Sequence, residues 1–114
     1  MGYSTRYSRG KLTDFKNYFV IYSDKPFTQY STWKDKDFVK DALNITGDHC
    51  GAVVGFSTKK GEKVHLIVAS SFISLEQAEL NLQRELGKDN FTETFSKAKN
   101  SWNEKLKRVE VAGG

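Results

Sequence analysis

Residues 64–86 read VHLIVASSFISLEQAELNLQREL, and the period of their apolar positions changes in the middle. Val64, Leu66 and Val68 alternate with His65, Ile67 and Ala69, the pattern of a strand with both faces largely covered. From Leu75 the spacing becomes helical, with Leu75, Ala78, Leu82 and Leu86 along one side. Ser74 sits at the change and Gln77 follows three residues later, the arrangement of a capping box. The stretch therefore predicts a strand running into a helix over about 75–86, closed by Gly87 as a C′ glycine.

Working outward, Phe91, Phe95, Ala98, Trp102 and Leu106 form an amphipathic stripe and predict a second helix over 91–107. Each Leu or Phe buried by such a stripe contributes roughly 1.5–3 kcal/mol, so these residues read as fold determinants covering a sheet or as a domain-facing surface. Upstream, Gly51 to Ser57 reads as a strand, and Lys60-Gly61 offers a left-handed turn before Glu62. An antiparallel hairpin of 51–57 with 62–70 is expected, with Val54 and Phe56 facing one interior. Asn17 to Tyr22 is a strand dense in aromatic and β-branched residues, ended by Asp24-Lys25-Pro26, where proline lacks an amide hydrogen. Phe27 to Tyr30 reads as a resumed edge strand and residues 31–48 as an irregular excursion holding one short strand or a turn of helix, with a turn at Gly47-Asp48. Residues 1–16 read as a polar loop or ragged start, against the alternative that Tyr3 and Tyr7 anchor part of it, and Val109 with Val111 as an extended exit.

The composition admits one domain, or part of one: 114 residues, 38% hydrophobic and 28% charged. The net charge of +4 is spread among interspersed acids, with TKKGEK at 58–63 and KLKR at 105–108 beside Glu62, Glu104 and Glu110. That distribution argues against nucleic acid as a partner, since a nucleic-acid footprint concentrates positive charge on one face. No apolar run reaches membrane-spanning length, and no signal peptide begins the chain. Cys50 stands alone, which excludes an internal disulfide.

Candidate chemistry is sparse. His49 and Cys50 are adjacent, but a tetrahedral metal site needs four ligands, and neighbours in a strand point to opposite faces. Trp33 with Asp35 and Asp37 offers an aromatic platform beside carboxylates, the combination that contacts sugars. His65 is a second carbohydrate-contact candidate, against the plainer reading of a partly buried, hydrogen-bonded structural histidine. Glu76, Glu79 and Glu85 lie along the first helix, whereas glycosidase carboxylates face each other across a substrate. Asn44-Ile45-Thr46 and Asn90-Phe91-Thr92 match the glycosylation sequon and are read as chance matches. No catalytic, cofactor-binding or metal-ligating residue is assigned.

Ser71-Phe72-Ile73-Ser74-Leu75-Glu76-Gln77-Ala78 with Asn81-Leu82 resembles the S-F/Y-[IV]-S-x-E-Q-A-x-x-N-L segment of the bacterial exo-α-mannosidases of glycoside hydrolase family 92. Tyr18-Phe19 and Asp24-Lys25-Pro26-Phe27 resemble that family's strand and its following turn. Asn90-Phe91, and Ala98-Lys99-Asn100-Ser101-Trp102-Asn103 through Leu106, resemble its A-x-x-x-W-N-x-x-L helix, and Val109-Glu110-Val111 the exit from it. The resemblance implies part of an N-terminal β-sandwich domain that packs against an (α/α)6 catalytic domain. It further implies calcium in that catalytic domain, inverting release of terminal mannose, often α-1,2-linked, and a periplasmic, outer-surface or secreted parent. The acid and base carboxylates would lie in the barrel, so none is carried onto this chain.

The expectation is thus a mainly β fragment with α: an antiparallel β-sandwich portion of three to five strands, then two amphipathic helices, spanning 1–114. Its function would be structural and non-catalytic within an exo-α-mannosidase, inactive in isolation and carrying no cofactor of its own. The alternatives are a stand-alone carbohydrate-binding module and a small interaction domain without glycan function. A truncated sandwich also exposes sheet edges, through which oligomers are expected.

Overall fold

A computed structural model describes residues 1–6, 12–109 and 112. Among these described residues, six strands precede two helical stretches. The strands are β1 (Gly2–Ser4), β2 (Asn17–Ser23), β3 (Gln29–Lys34), β4 (Asp37–Lys40), β5 (Cys50–Gly55) and β6 (Leu66–Ser71). They form two antiparallel sheets of three, in the orders β1-β2-β6 and β4-β3-β5. The helices α1 (Leu75–Asn81) and α2 (Phe91–Leu106) follow, so the class expected from the sequence is the one observed. The chain divides into two compact units, residues 1–20 with 68–114, and residues 21–67.

In the first unit, β1 pairs antiparallel with the start of β2, placing Tyr3 opposite Tyr18. The expected polar loop at 1–16 is thus corrected: three residues of it are strand. Tyr3 anchors that strand, the less favoured of the two readings, its ring 6.0 Å from that of Tyr18 and beneath the Lys16 ammonium. Tyr7 and Val111 lie outside the described residues, and Val109 is exposed just past the helix.

The strand-to-helix change at Ser74 is as expected. Ser74 has an extended backbone and its hydroxyl accepts from the Gln77 amide at 3.1 Å. The box is only half formed, because the Gln77 side chain donates instead to Asn81 Oδ1 at 2.8 Å. Asn81 in turn donates to the Ser70 carbonyl at 3.0 Å, tying the helix back to the strand that feeds it. After Asn81 the chain continues as a π-helical segment, Leu82–Leu86, ended by Gly87 at φ 56°, whose amide reaches back to the Leu82 carbonyl. Ala78 is fully buried, and Leu75, Leu82 and Leu86 are half-buried, so this stripe does face inward.

The second helix matches its predicted span to within a residue and has a complete capping box. The Asn90 side chain accepts from the Glu93 amide, and the Glu93 carboxylate accepts from the Asn90 amide. Its stripe behaves differently from the prediction of a buried fold determinant. Phe91 is 76% exposed and Trp102 67%, and Phe95 and Leu106 are also exposed. Phe91 and Phe95 stack on each other at 6.3 Å rather than on a sheet. Amphipathic spacing shows that one face is apolar; it does not identify what covers that face.

In the second unit, β3 is the central strand, with β4 on one side and β5 on the other. This corrects three expectations at once. Residues 27–30 do not start an edge strand, residues 31–48 hold the end of β3 and all of β4 where one short strand or turn of helix is expected, and 51–57 does not pair with 62–70. Trp33 sits opposite both Phe38 and Gly51, and a two-residue turn at Asp35-Lys36 closes the β3–β4 hairpin. Asp35 takes φ 55° there, a region that Asp tolerates better than most side chains. Gly61 is left-handed as expected, at φ 81°, and the Glu62 amide bonds to the Lys59 carbonyl. That turn sends the chain on to β6 in the other sheet instead of folding it back on β5. Val54 is accordingly half exposed, and Phe56 lies beyond the end of β5.

The strand β6 also corrects the two-sided burial read from its alternation. Ile67, Ala69 and Ser71 turn inward, while Leu66 and Val68 are exposed. Among the described residues, Val20 and Ala78 are the buried hydrophobic ones. With so little apolar cover on α2, its termini depend on capping. Asn90→Ala should lower stability by about 1 kcal/mol and reduce helical circular dichroism, whereas Asn100→Ala in the helix interior should not.

Candidate functional site

The polar groups of the second unit gather where β2 ends and β6 begins. Pro26 stops β2 at Ser23 and leaves Asp24 and Lys25 on the bend that follows. Asp24 meets His65 through three bonds. Its amide donates to the His65 carbonyl at 3.2 Å, its Oδ1 accepts from the His65 amide at 3.0 Å, and its Oδ2 lies 2.6 Å from His65 Nδ1. The His65 amide and imidazole hold the Asp24 carboxyl below the usual carboxylate range. His65 stands just before β6 rather than within it, and its side chain is 60% exposed, so it is hydrogen-bonded but not buried.

Beside this pair, the Lys25 ammonium binds the Glu62 carboxylate, which also accepts from the Lys59 amide at 2.8 Å. The Lys25 hydrogen bond, then the Lys59 amide, lowers the Glu62 pKa. An open depression here is lined by Lys25, Lys59, Lys60 and Glu62 with Ser57, Thr58 and Gly61.

Trp33 occupies a different place, on the central strand β3. Its indole packs so closely over Gly51 that a β-carbon there would come within 2.9 Å of the ring. The His49 ring meets it edge-on at 5.1 Å, and His49 Nδ1 stands 3.7 Å from Asp35 Oδ1. The two carbohydrate-contact candidates are therefore separate: Trp33 is grouped with His49 and Asp35, His65 with Asp24. Asp24 and Gly51 escaped the sequence reading. Asp24 is visible there only as part of a turn before proline, and Gly51 becomes informative once the register sets it opposite Trp33.

The described residues contain no group of three or more His, Cys, Asp or Glu side chains arranged to hold a metal ion. Calcium takes six to eight oxygen ligands, which neither the Asp35–His49 nor the Asp24–His65 pair supplies. Cys50 is spent on a contact with the Gly47 carbonyl. Glu76, near the start of α1, has its carboxyl pKa lowered by its own amide and by Ser74, the ordinary electrostatics of a helix start. No helix among the described residues is long and apolar enough to cross a membrane.

The Asp24 shift has a definite sign. Its pKa is lower folded than unfolded, so its contribution to stability is present above the unfolded carboxylate value and is lost as pH falls through the folded one. From about pH 4 downward, the denaturation midpoint of the native sequence should fall more steeply than that of Asp24→Asn. The difference between the two should shrink once Asp24 is protonated in both states.

Comparison with known proteins places this arrangement of two three-stranded sheets followed by helices. No curated protein matches it. Among solved structures, the family 92 inverting mannosidase of Bacteroides thetaiotaomicron VPI-5482 superposes with a TM-score of 0.88 at 34% identity. That match covers 96% of this chain and 15% of the mannosidase. The family 92 glycosyl hydrolase ccman5 superposes with a TM-score of 0.82 at 26% identity, over 99% of this chain and 16% of its own. The chain thus spans about a sixth of these relatives. The profile of the glycosyl hydrolase family 92 N-terminal domain matches residues 1–71, and the chain belongs to that family, in its N-terminal domain.

Proposed function

We propose that residues 1–114 are a structural, non-catalytic part of the N-terminal β-sandwich domain of an exo-α-mannosidase that hydrolyses terminal, α-1,2-linked mannose. The observation that carries this reading is the superposition of nearly the whole chain on a small share of an inverting mannosidase. On this reading the acid, the base and the calcium belong to the (α/α)6 catalytic domain of the same polypeptide, and the parent is periplasmic, outer-surface or secreted. Family membership replaces the alternative of a small interaction domain unrelated to glycans.

The apolar face of α2 is the proposed contact with the rest of the enzyme. Phe91, Phe95, Trp102 and Leu106 are exposed together along one stripe, and aromatic side chains of this size bury about 150–250 Å² each when covered. In isolation the same face, with the edges of β4 and β5, would drive self-association.

A second reading concerns sugar contact. Trp33, held flat over the backbone of Gly51 with Asp35 nearby, and His65, exposed beside Asp24, are the residues that would touch a mannose-containing glycan. It adds a binding role to the structural one.

The purified chain should release no mannose from α-1,2-mannobiose, with or without calcium, while the full-length enzyme does; release by the chain alone would overturn the structural reading. Trp102→Ser should reduce self-association in sedimentation experiments, and in the full-length enzyme should lower the unfolding midpoint by the equivalent of about 2–4 kcal/mol. An unchanged midpoint would remove α2 from the proposed interface.

A further inference from the structure

Asp24 and His65 do more than join two strand ends. A carboxylate held below its usual pKa range is ionised at neutral pH and can only accept hydrogen bonds. Its Oδ2 lies 2.6 Å from His65 Nδ1, so Nδ1 must carry the proton. The same carboxylate uses Oδ1 for the His65 backbone amide, which fixes it in the plane from which it grips the ring. In the neutral imidazole, Nε2 is then an unprotonated acceptor on a side chain that is 60% exposed. A carboxylate hydrogen-bonded to one ring nitrogen is the arrangement that sets a histidine's tautomer and ring orientation.

We propose that Asp24 is a positioning residue that locks His65 in the Nδ1–H tautomer, presenting Nε2 outward as a hydrogen-bond acceptor for a hydroxyl of a glycan. The glycan as ligand class rests on the sugar-contact reading above; the tautomer lock rests on the geometry alone. The strand-end bonding would be served by the backbone bond between Asp24 and the His65 carbonyl, and it leaves the pairing of Oδ2 with Nδ1 unexplained. The charged groups alongside, Lys25 and Glu62, are paired with each other and leave Asp24 to His65.

The test is nitrogen-proton correlation NMR of the His65 ring above neutral pH, followed by titration with α-1,2-mannobiose and longer mannose oligosaccharides. The expected spectrum has a protonated Nδ1 and an unprotonated Nε2, with Nε2 shifting on glycan addition. Asp24→Asn should relax the tautomer ratio and weaken glycan affinity about fivefold, the equivalent of one hydrogen bond of about 1 kcal/mol. Well-dispersed β3–β5 amides would show that the variant still folds. His65→Phe, which leaves Asp24 in place, should weaken affinity to a similar extent. A dominant Nε2–H tautomer in the native sequence would overturn the proposal. Glycan shifts at the Trp33 indole without any at His65 would overturn it too, while leaving sugar contact at Trp33 standing. Shifts at neither would remove both.

Discussion

The register between β3 and β5, with Trp33 opposite Gly51, is the constraint on which the second unit depends. An indole can lie against the neighbouring strand only where no β-carbon stands, and Gly51 supplies that space. Once this pair is set, Lys34 pairs with Cys50 and Gln29 with Gly55, and the Asp35 amide meets the His49 carbonyl at 2.9 Å. The same placement brings His49 edge-on to Trp33 and makes β3 an interior strand with a partner on each side. A one-residue slip would turn Trp33 to the opposite face and set a β-carbon against its ring.

Main-chain ladders and polar ties carry an unusual share of the structure, because little apolar surface is removed from water within the chain. Val20 and Ala78 are the buried hydrophobic residues described, while Phe38, Phe91, Trp102 and Leu106 remain exposed. Polar connections stand where packing is thin: Asn81 to the Ser70 carbonyl, Asp24 to both ends of His65, and Glu62 between Lys25 and the Lys59 amide. Such bonds define geometry well but contribute only about 1 kcal/mol each.

Local signals were legible in the order of residues. Ser74, Gly87 and Asn90 mark helix ends through their own side-chain or backbone chemistry, and Pro26 ends β2 because it lacks a donor. Gly61 was readable as a left-handed turn for the same reason. What that turn connects was not readable: residues 51–57 and 62–70 flank it as hairpin strands would, yet they enter different sheets. The β3–β4 hairpin was hidden because its turn uses Asp35 where glycine would have been the visible signal. Asp24 became part of a candidate site only when His65, distant in sequence, was brought within hydrogen-bond reach.

The sequence by itself determined the class of the fold, the helix boundaries to within a residue or so, and the family, because caps, periods and motifs are local and survive without knowledge of partners. Tertiary structure alone decided strand pairing, the inward face of β6, the outward face of α2, and the grouping of Asp24 with His65. These depend on which distant segments meet, and the same apolar stripe satisfies helical periodicity whether a sheet, another domain or water lies against it. The stretch at 64–86 contains both cases: the change at Ser74 is written in adjacent residues, while the exposure of Leu66 and Val68 is set by what the fold leaves beside them.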